Sequence, residues 1–228
     1  MDKISIIVPC FNEEDVVSMF HQETTKQLHR IPDIDYELLF INDGSKDHTA
    51  SVLKELAEKD SHCFYFTFSR NFGKEAAMFA GLEKATGDYV VIMDADLQHP
   101  PRLLPDMYHA CKYEGYDCAA GKRVDRTGEG RLRNFLSHSF YKVIQKLTKM
   151  DMDDGAGDFR MMSRQMVDAI LELKEYNRYM KGLFSFVGFD TKWIEFHNVE
   201  RAAGQTKWSF TSLFSYAFKG IFSFSATP

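Results

Sequence analysis

The chain has 228 residues, 44% hydrophobic and 27% charged, enough apolar material to bury a core in one large domain or two small ones. That composition excludes a disordered or collagen-like chain, and 28 basic against 33 acidic residues, a net charge of −5, argues against a nucleic-acid binder. The four cysteines, Cys10, Cys63, Cys111 and Cys118, have no C-x-x-C spacing, so reduced thiols are expected rather than a disulfide framework or zinc ribbon. Residues 1–10 read as a strand rather than a secretory signal. No stretch reaches the roughly 20 apolar residues of a membrane helix.

Short apolar runs alternate with helical patterns from the start. Residues 4–8, 36–41, 64–68 and 89–93 predict four strands. Helical spacing between and after them predicts helices over 13–28, 49–58 and 74–85, with another following Pro101. Strands apolar throughout and separated by helices predict an α/β fold, a mostly parallel sheet with helices on both faces. Ligands of such sheets bind beyond the carboxyl ends of the strands. Four polar loops fall there: Pro9-Cys10-Phe11-Asn12-Glu13-Glu14, Asn42-Asp43-Gly44-Ser45, Ser69-Arg70-Asn71-Phe72-Gly73 and Asp94-Ala95-Asp96-Leu97-Gln98.

The last of these is the sharpest. Two carboxylates one residue apart at a strand end, with the amide oxygen of Gln98, suit a hard divalent cation such as Mg²⁺ or Mn²⁺. Such a cation would neutralise a departing diphosphate; the plainer alternative is an acidic turn before Pro100-Pro101. Asp43 suits hydrogen bonding to a base or ribose, and equally suits ordinary turn chemistry. Neither a P-loop nor a G-x-G-x-x-G fingerprint occurs, which disfavours a P-loop ATPase and a nicotinamide dehydrogenase.

Beyond residue 120 the alternation weakens. Residues 122–149 hold eight basic and two acidic side chains, with apolar residues from Leu132 to Leu147 at helical spacing. This reads as a basic amphipathic helix for an anionic membrane surface or a phosphorylated ligand, or as a solvated helix. After Glu200 the only charges are Arg201, Lys207 and Lys219, interleaved with aromatics as in a helix at headgroup level. The expectation is that the natural protein continues into the membrane. Gly157-Asp158-Phe159-Arg160 reads as a strand-entry turn, and the eight histidines read as structural or solvated.

Taken in order, P-C-F-N-E-E, I-N-D-G-S, S-R-N-F-G-K-E, M-D-A-D-L-Q-H-P-P, G-D-F-R and R-A-A-G-Q-T-K-W-S resemble family 2 glycosyltransferases with the Rossmann-like GT-A fold. The resemblance is nearest to polyprenyl-phosphate glycosyltransferases, the group of bactoprenol glucosyltransferases and dolichol-phosphate mannose synthases, and spans nearly the whole chain. It implies an inverting, metal-dependent transfer of a hexose, glucose or N-acetylglucosamine, from a UDP-sugar to undecaprenyl phosphate; the alternative is a family 2 transferase with a sugar-hydroxyl acceptor. By motif, Pro9, Phe11, Glu13, Asp43 and Asp94 would hold the donor. Asp94, Asp96 and Gln98 would hold Mg²⁺ or Mn²⁺, and Asp96 and Asp158 would be catalytic, Asp158 matching the acid proposed as base. Arg123, Arg133, Arg201 and Lys207 would gather the acceptor phosphate and the leaving diphosphate. Asn42 departs from the Asp of many relatives, although bactoprenol glucosyltransferases often carry Asn there. The implied organisation is a catalytic domain over 1–200, with a nucleotide-sugar half at 1–120 and an acceptor half at 121–200, then an amphipathic juxtamembrane segment at 201–228. The implied setting is the cytoplasmic face of a bacterial membrane, as a homo-oligomer such as a tetramer, with no nucleic-acid partner.

Overall fold

The computed structural model describes residues 1–124, 156–173 and 179–197. In chain order these form β1 (Asp2–Cys10), α1 (Val17–Leu28), β2 (Ile34–Asn42), α2 (Thr49–Lys59), β3 (Cys63–Thr67), α3 (Lys74–Lys84) and β4 (Tyr89–Ile92). A short 3₁₀ turn (Pro101–Leu103) then leads into α4 (Leu104–Tyr113), β5 (Cys118–Arg123), β6 (Ala156–Ser163), α5 (Arg164–Glu172), α6 (Met180–Phe186) and β7 (Thr191–Phe196). One seven-stranded sheet runs β3-β2-β1-β4-β6-β5-β7.

The four strands expected from the apolar runs are present and mutually parallel, in the order β3-β2-β1-β4. Two apolar layers cover the sheet. Ile4, Ile6, Val8, Leu38, Phe40 and Val91 face α1, α2 and α4, with Phe20 edge-on to Phe40 at 6.2 Å. Ile7, Leu39, Ile41, Val90 and Ile92 face α3, α5 and α6. Alternate residues of one strand therefore feed opposite layers, and each fully buried side chain contributes on the order of 1.5–3 kcal/mol. All four cysteines are buried thiols outside any disulfide, as their spacing predicts.

Three features differ from the sequence reading. Helix α1 starts at Val17, not residue 13, because Glu13 and Glu14 are tied to the second loop before the helix begins. The cover thins at one edge of the sheet: β3 is one of the two outermost strands, and Phe64 and Tyr65 are exposed. Strand β6 runs antiparallel to both neighbours, pairing Ile92 of β4 with Arg160 and Ala120 of β5 with the same residue. An antiparallel strand begins where its parallel neighbours end, so the start of β6 joins the carboxyl edge. Continuing the β4–β6 register by two places sets Asp158 opposite Asp94.

Of the basic segment over 122–149, only Lys122, Arg123 and Val124 are described. The remainder, with Arg133, Arg201, Lys207 and the whole of 201–228, lies outside the described residues. Among the described residues no helix is long and apolar enough to cross a membrane.

Candidate active site

The first three loops are latched to one another by short polar contacts. Asn12, in the left-handed region at φ 54°, donates its N–H to Ser45 Oγ at 2.9 Å and accepts the Lys46 N–H on its side chain at 2.8 Å. Glu13 N–H reaches Thr49 Oγ1 at 2.8 Å, and Glu14 accepts the His48 N–H at 2.8 Å. Asp43 is buried and accepts from the N–H groups of Phe72 at 2.7 Å and Gly73 at 2.9 Å, one on each carboxylate oxygen. Burial pushes its carboxyl up, and those two hydrogen bonds pull it back. Gly44 makes the close approach of the loops feasible: its φ is +64°, and a Cβ there would lie 2.4 Å from the Arg70 carbonyl carbon.

The fourth loop meets β6 across a lysine. Lys74, first residue of α3, places its Nζ 2.6 Å from Asp94 Oδ1 and 2.7 Å from Asp158 Oδ2. Burial alone would raise both carboxyls, but the ammonium overrides it and holds them well below the usual carboxylate range. Burial likewise disfavours the charged lysine, and the two carboxylates more than reverse this, raising its pKa. The second oxygen of Asp158, Oδ1, is buried and makes no hydrogen bond. Behind Asp158, Arg160 donates to the Gly157 carbonyl at 2.9 Å and lies 3.8 Å over the Phe184 ring, fixing the turn that presents the acid.

Asp94-Ala95-Asp96-Leu97-Gln98 folds as a tight polar turn. Asp96 is buried and accepts the Gln98 N–H on Oδ1 at 3.1 Å, while Leu97 takes φ 61°, a strained value for its bulk. His99 accepts the Asp94 N–H on Nδ1 at 3.0 Å and stacks on Phe159 at 5.1 Å. Burial holds the ring below its usual pKa, so it is neutral, with its proton on Nε2. Asp94, Asp96 and Gln98 thus offer two carboxylates and an amide oxygen, a hard donor set fitting Mg²⁺ or Mn²⁺. No three carboxylate or imidazole ligands at this edge come within 4.8 Å of one another among the described residues. A cation held there would complete its shell with water or a ligand's phosphates.

The structure thus brings Pro9, Phe11, Glu13, Asp43, Asp94, Asp96, Gln98 and Asp158 to one edge of the sheet. Arg123 ends β5 at that edge, half-buried, with Val124 N–H bonded to Phe196 O. Asp43 serves here to latch the third loop. Lys74 and His99 are the residues that the motif reading passed over. Lys74 carried a signal: a cation in the first turn of a helix opposes the macrodipole, so it needs carboxylates nearby. His99 carried none.

The sequence pattern of glycosyl transferase family 2 matches residues 5–171 of this chain. The chain belongs to that family. Similar proteins extend the match to almost every residue. CsbB of Bacillus subtilis (strain 168) is 48% identical over 225 residues, 99% of this chain and 68% of its own length. The bactoprenol glucosyl transferase of Shigella phage SfV is 41% identical over 226 residues, 99% of this chain and 73% of its own length. Among solved structures, glucosyl-3-phosphoglycerate synthase from Mycobacterium tuberculosis, in complex with Mn²⁺ and UDP-glucose, superposes with a TM-score of 0.61 at 19% identity, covering 100% of this chain and 80% of that one. The fold is therefore GT-A-like, as the motifs imply, and this family 2 chain is a glycosyltransferase.

Proposed function

We propose that this chain moves glucose from UDP-glucose to a polyprenyl phosphate, with inversion at the anomeric carbon. The observation that carries the reading is the cluster at the carboxyl edge, where Lys74 bridges Asp94 and Asp158 beside the turn holding Asp96 and Gln98. The bactoprenol glucosyl transferase relatives support the sugar and the acceptor. We assign the donor loops to residues 1–120, and Arg123 with the acid of β6 to an acceptor half over 121–200.

A divalent ion held by Asp94, Asp96 and Gln98 would supply positive charge to a departing diphosphate. The remaining work falls to the chain itself. Arg123, with Arg133, Arg201 and Lys207, would draw in an anionic lipid headgroup at the cytoplasmic face of the membrane, with the protein as a homo-oligomer. A phosphate monoester has a second pKa near 6, so at neutral pH the attacking oxygen is largely ionised and needs no obligatory base. Asp158, held in its ionised form by Lys74 at 2.7 Å, is a weak proton acceptor. Its task is to fix the ammonium and, through it, to orient the acceptor. A sugar-hydroxyl acceptor would require a true base.

The test is transfer of labelled sugar from a panel of UDP- and GDP-sugars to undecaprenyl phosphate with Mn²⁺ or Mg²⁺. One organic-extractable product from UDP-glucose is expected; release of UDP without lipid product would overturn the acceptor assignment. Asp158→Asn is expected to lower the rate about a hundredfold, by a factor that stays constant between pH 6 and 9. Recovery of the variant at high pH would instead make Asp158 a base.

A further inference from the structure

We propose that His21, Asp60 and Cys63 form a zinc site, separate from glycosyl transfer. His21 projects from α1, Asp60 closes α2 by donating its N–H to the Leu56 carbonyl, and Cys63 opens β3. Cys63 pairs with Leu38, whereas the far end of β3, Thr67, pairs with Asn42 beside the loops described above. Four residues of strand, about 13 Å, thus separate the cluster from the catalytic edge. It is not the seat of a diphosphate-binding cation.

The donors already converge. His21 Nε2 lies 2.8 Å and Cys63 Sγ 3.7 Å from the same oxygen, Asp60 Oδ2, and the three ligand atoms all lie within 4.8 Å of one another. Zinc bonds of roughly 2.0–2.3 Å in a tetrahedron space their ligand atoms about 3.3–3.8 Å apart. The sulfur–oxygen spacing already matches, and the histidine need withdraw by only about half an ångström once the metal replaces the shared proton. One imidazole, one thiolate and one carboxylate select Zn²⁺ over Mg²⁺ or Mn²⁺, which prefer oxygen alone. Water would take the fourth position, reached past the partly exposed His21 and Asp60. Binding releases the thiol proton to solvent as the zinc–sulfur bond forms.

The other oxygen of the carboxylate is also held. His62 donates its N–H to Asp60 Oδ1 at 2.9 Å, its ring Nδ1 lies 3.0 Å from that oxygen, and the ring stacks on Tyr36 at 4.4 Å. A ligating carboxylate anchored in this way, by groups outside the coordination shell, is how proteins orient metal ligands. The bland alternative is a hydrogen-bonded cap joining α1 to the α2–β3 turn, with the thiol nearby by accident.

Zinc X-ray absorption on the chelator-stripped, full chain loaded with half an equivalent of Zn²⁺ decides between them without any substitution. One sulfur and at least one imidazole in the zinc shell are expected; a shell without sulfur, or no zinc retained, overturns the site. With Co²⁺, a thiolate-to-metal charge-transfer band should appear and vanish in Cys63→Ser, and its persistence there would also overturn the proposal. His62→Ala is expected to weaken zinc binding by roughly 10- to 100-fold in competition with a chromophoric chelator. Unchanged affinity would refute the part assigned to His62.

Discussion

Replacing Lys74 by methionine is expected to lower transfer by about a hundredfold to a thousandfold, the scale of removing one preorganised charged group from a site. Lys74 and Asp94 are half-buried and Asp158 is buried, so the carboxylates lose their bridging cation in a poorly solvated place. In Lys74→Met, Asp94 and Asp158 would face each other with burial no longer opposed, and a carboxyl would take up a proton. The variant should therefore gain activity as the pH rises from 6 to 9, while the unsubstituted protein shows no such climb. A fully active variant with a flat profile would remove the lysine from the mechanism. The stability signs agree. The carboxylates, depressed in the fold, contribute fully above their unfolded value near 4, and the contribution is lost as pH falls through the folded value. Lys74, raised in the fold, contributes fully below its unfolded value near 10.4, and the contribution is lost as pH rises through the folded value. The urea midpoint of the variant should therefore fall further below that of the unsubstituted protein as pH rises from about 5 to 9, because its carboxyl, raised in the fold, is ionised at growing cost over that range.

Asp96→Asn should have a comparable effect on activity. Asparagine keeps an Oδ1 to accept the Gln98 N–H, so that contact of the turn is retained while the negative charge is lost. Transfer is expected to fall roughly a thousandfold, the scale of removing a preorganised charge-stabilising group. Calorimetric titration with UDP should show Mn²⁺-dependent binding in the unsubstituted protein and not in the variant. Equal Mn²⁺-dependent affinity in both would move the metal away from residues 94–98.

The parallel half of the sheet was legible because its cues are local. Apolar runs such as residues 36–41 and 89–93 end abruptly in acids, and a buried parallel strand followed by a loop leaves that imprint. Strand direction leaves none. Gly157-Asp158-Phe159-Arg160 marked the entry to a strand, but nothing in it shows that β6 runs against its neighbours, and that reversal is what brings Asp158 to Asp94. Asp43 was legible as a polar group at a strand end but not as the latch for Phe72 and Gly73, a contact made 29 and 30 residues away. His99 was indistinguishable from a solvated histidine because its partners, the Asp94 amide and the Phe159 ring, identify themselves only in three dimensions.

The pairing of Lys122 with Ala156 bears on how long the connection between β5 and β6 can be. The chain leaves β5 and re-enters β6 through adjacent positions on one rim, so the connection between them has a fixed span whatever its length. Doubling a loop costs only about 0.6 kcal/mol in closure entropy, which a core of this size absorbs. A longer connection between β5 and β6 would therefore cost little in closure entropy and leave the register of the strands on either side unchanged.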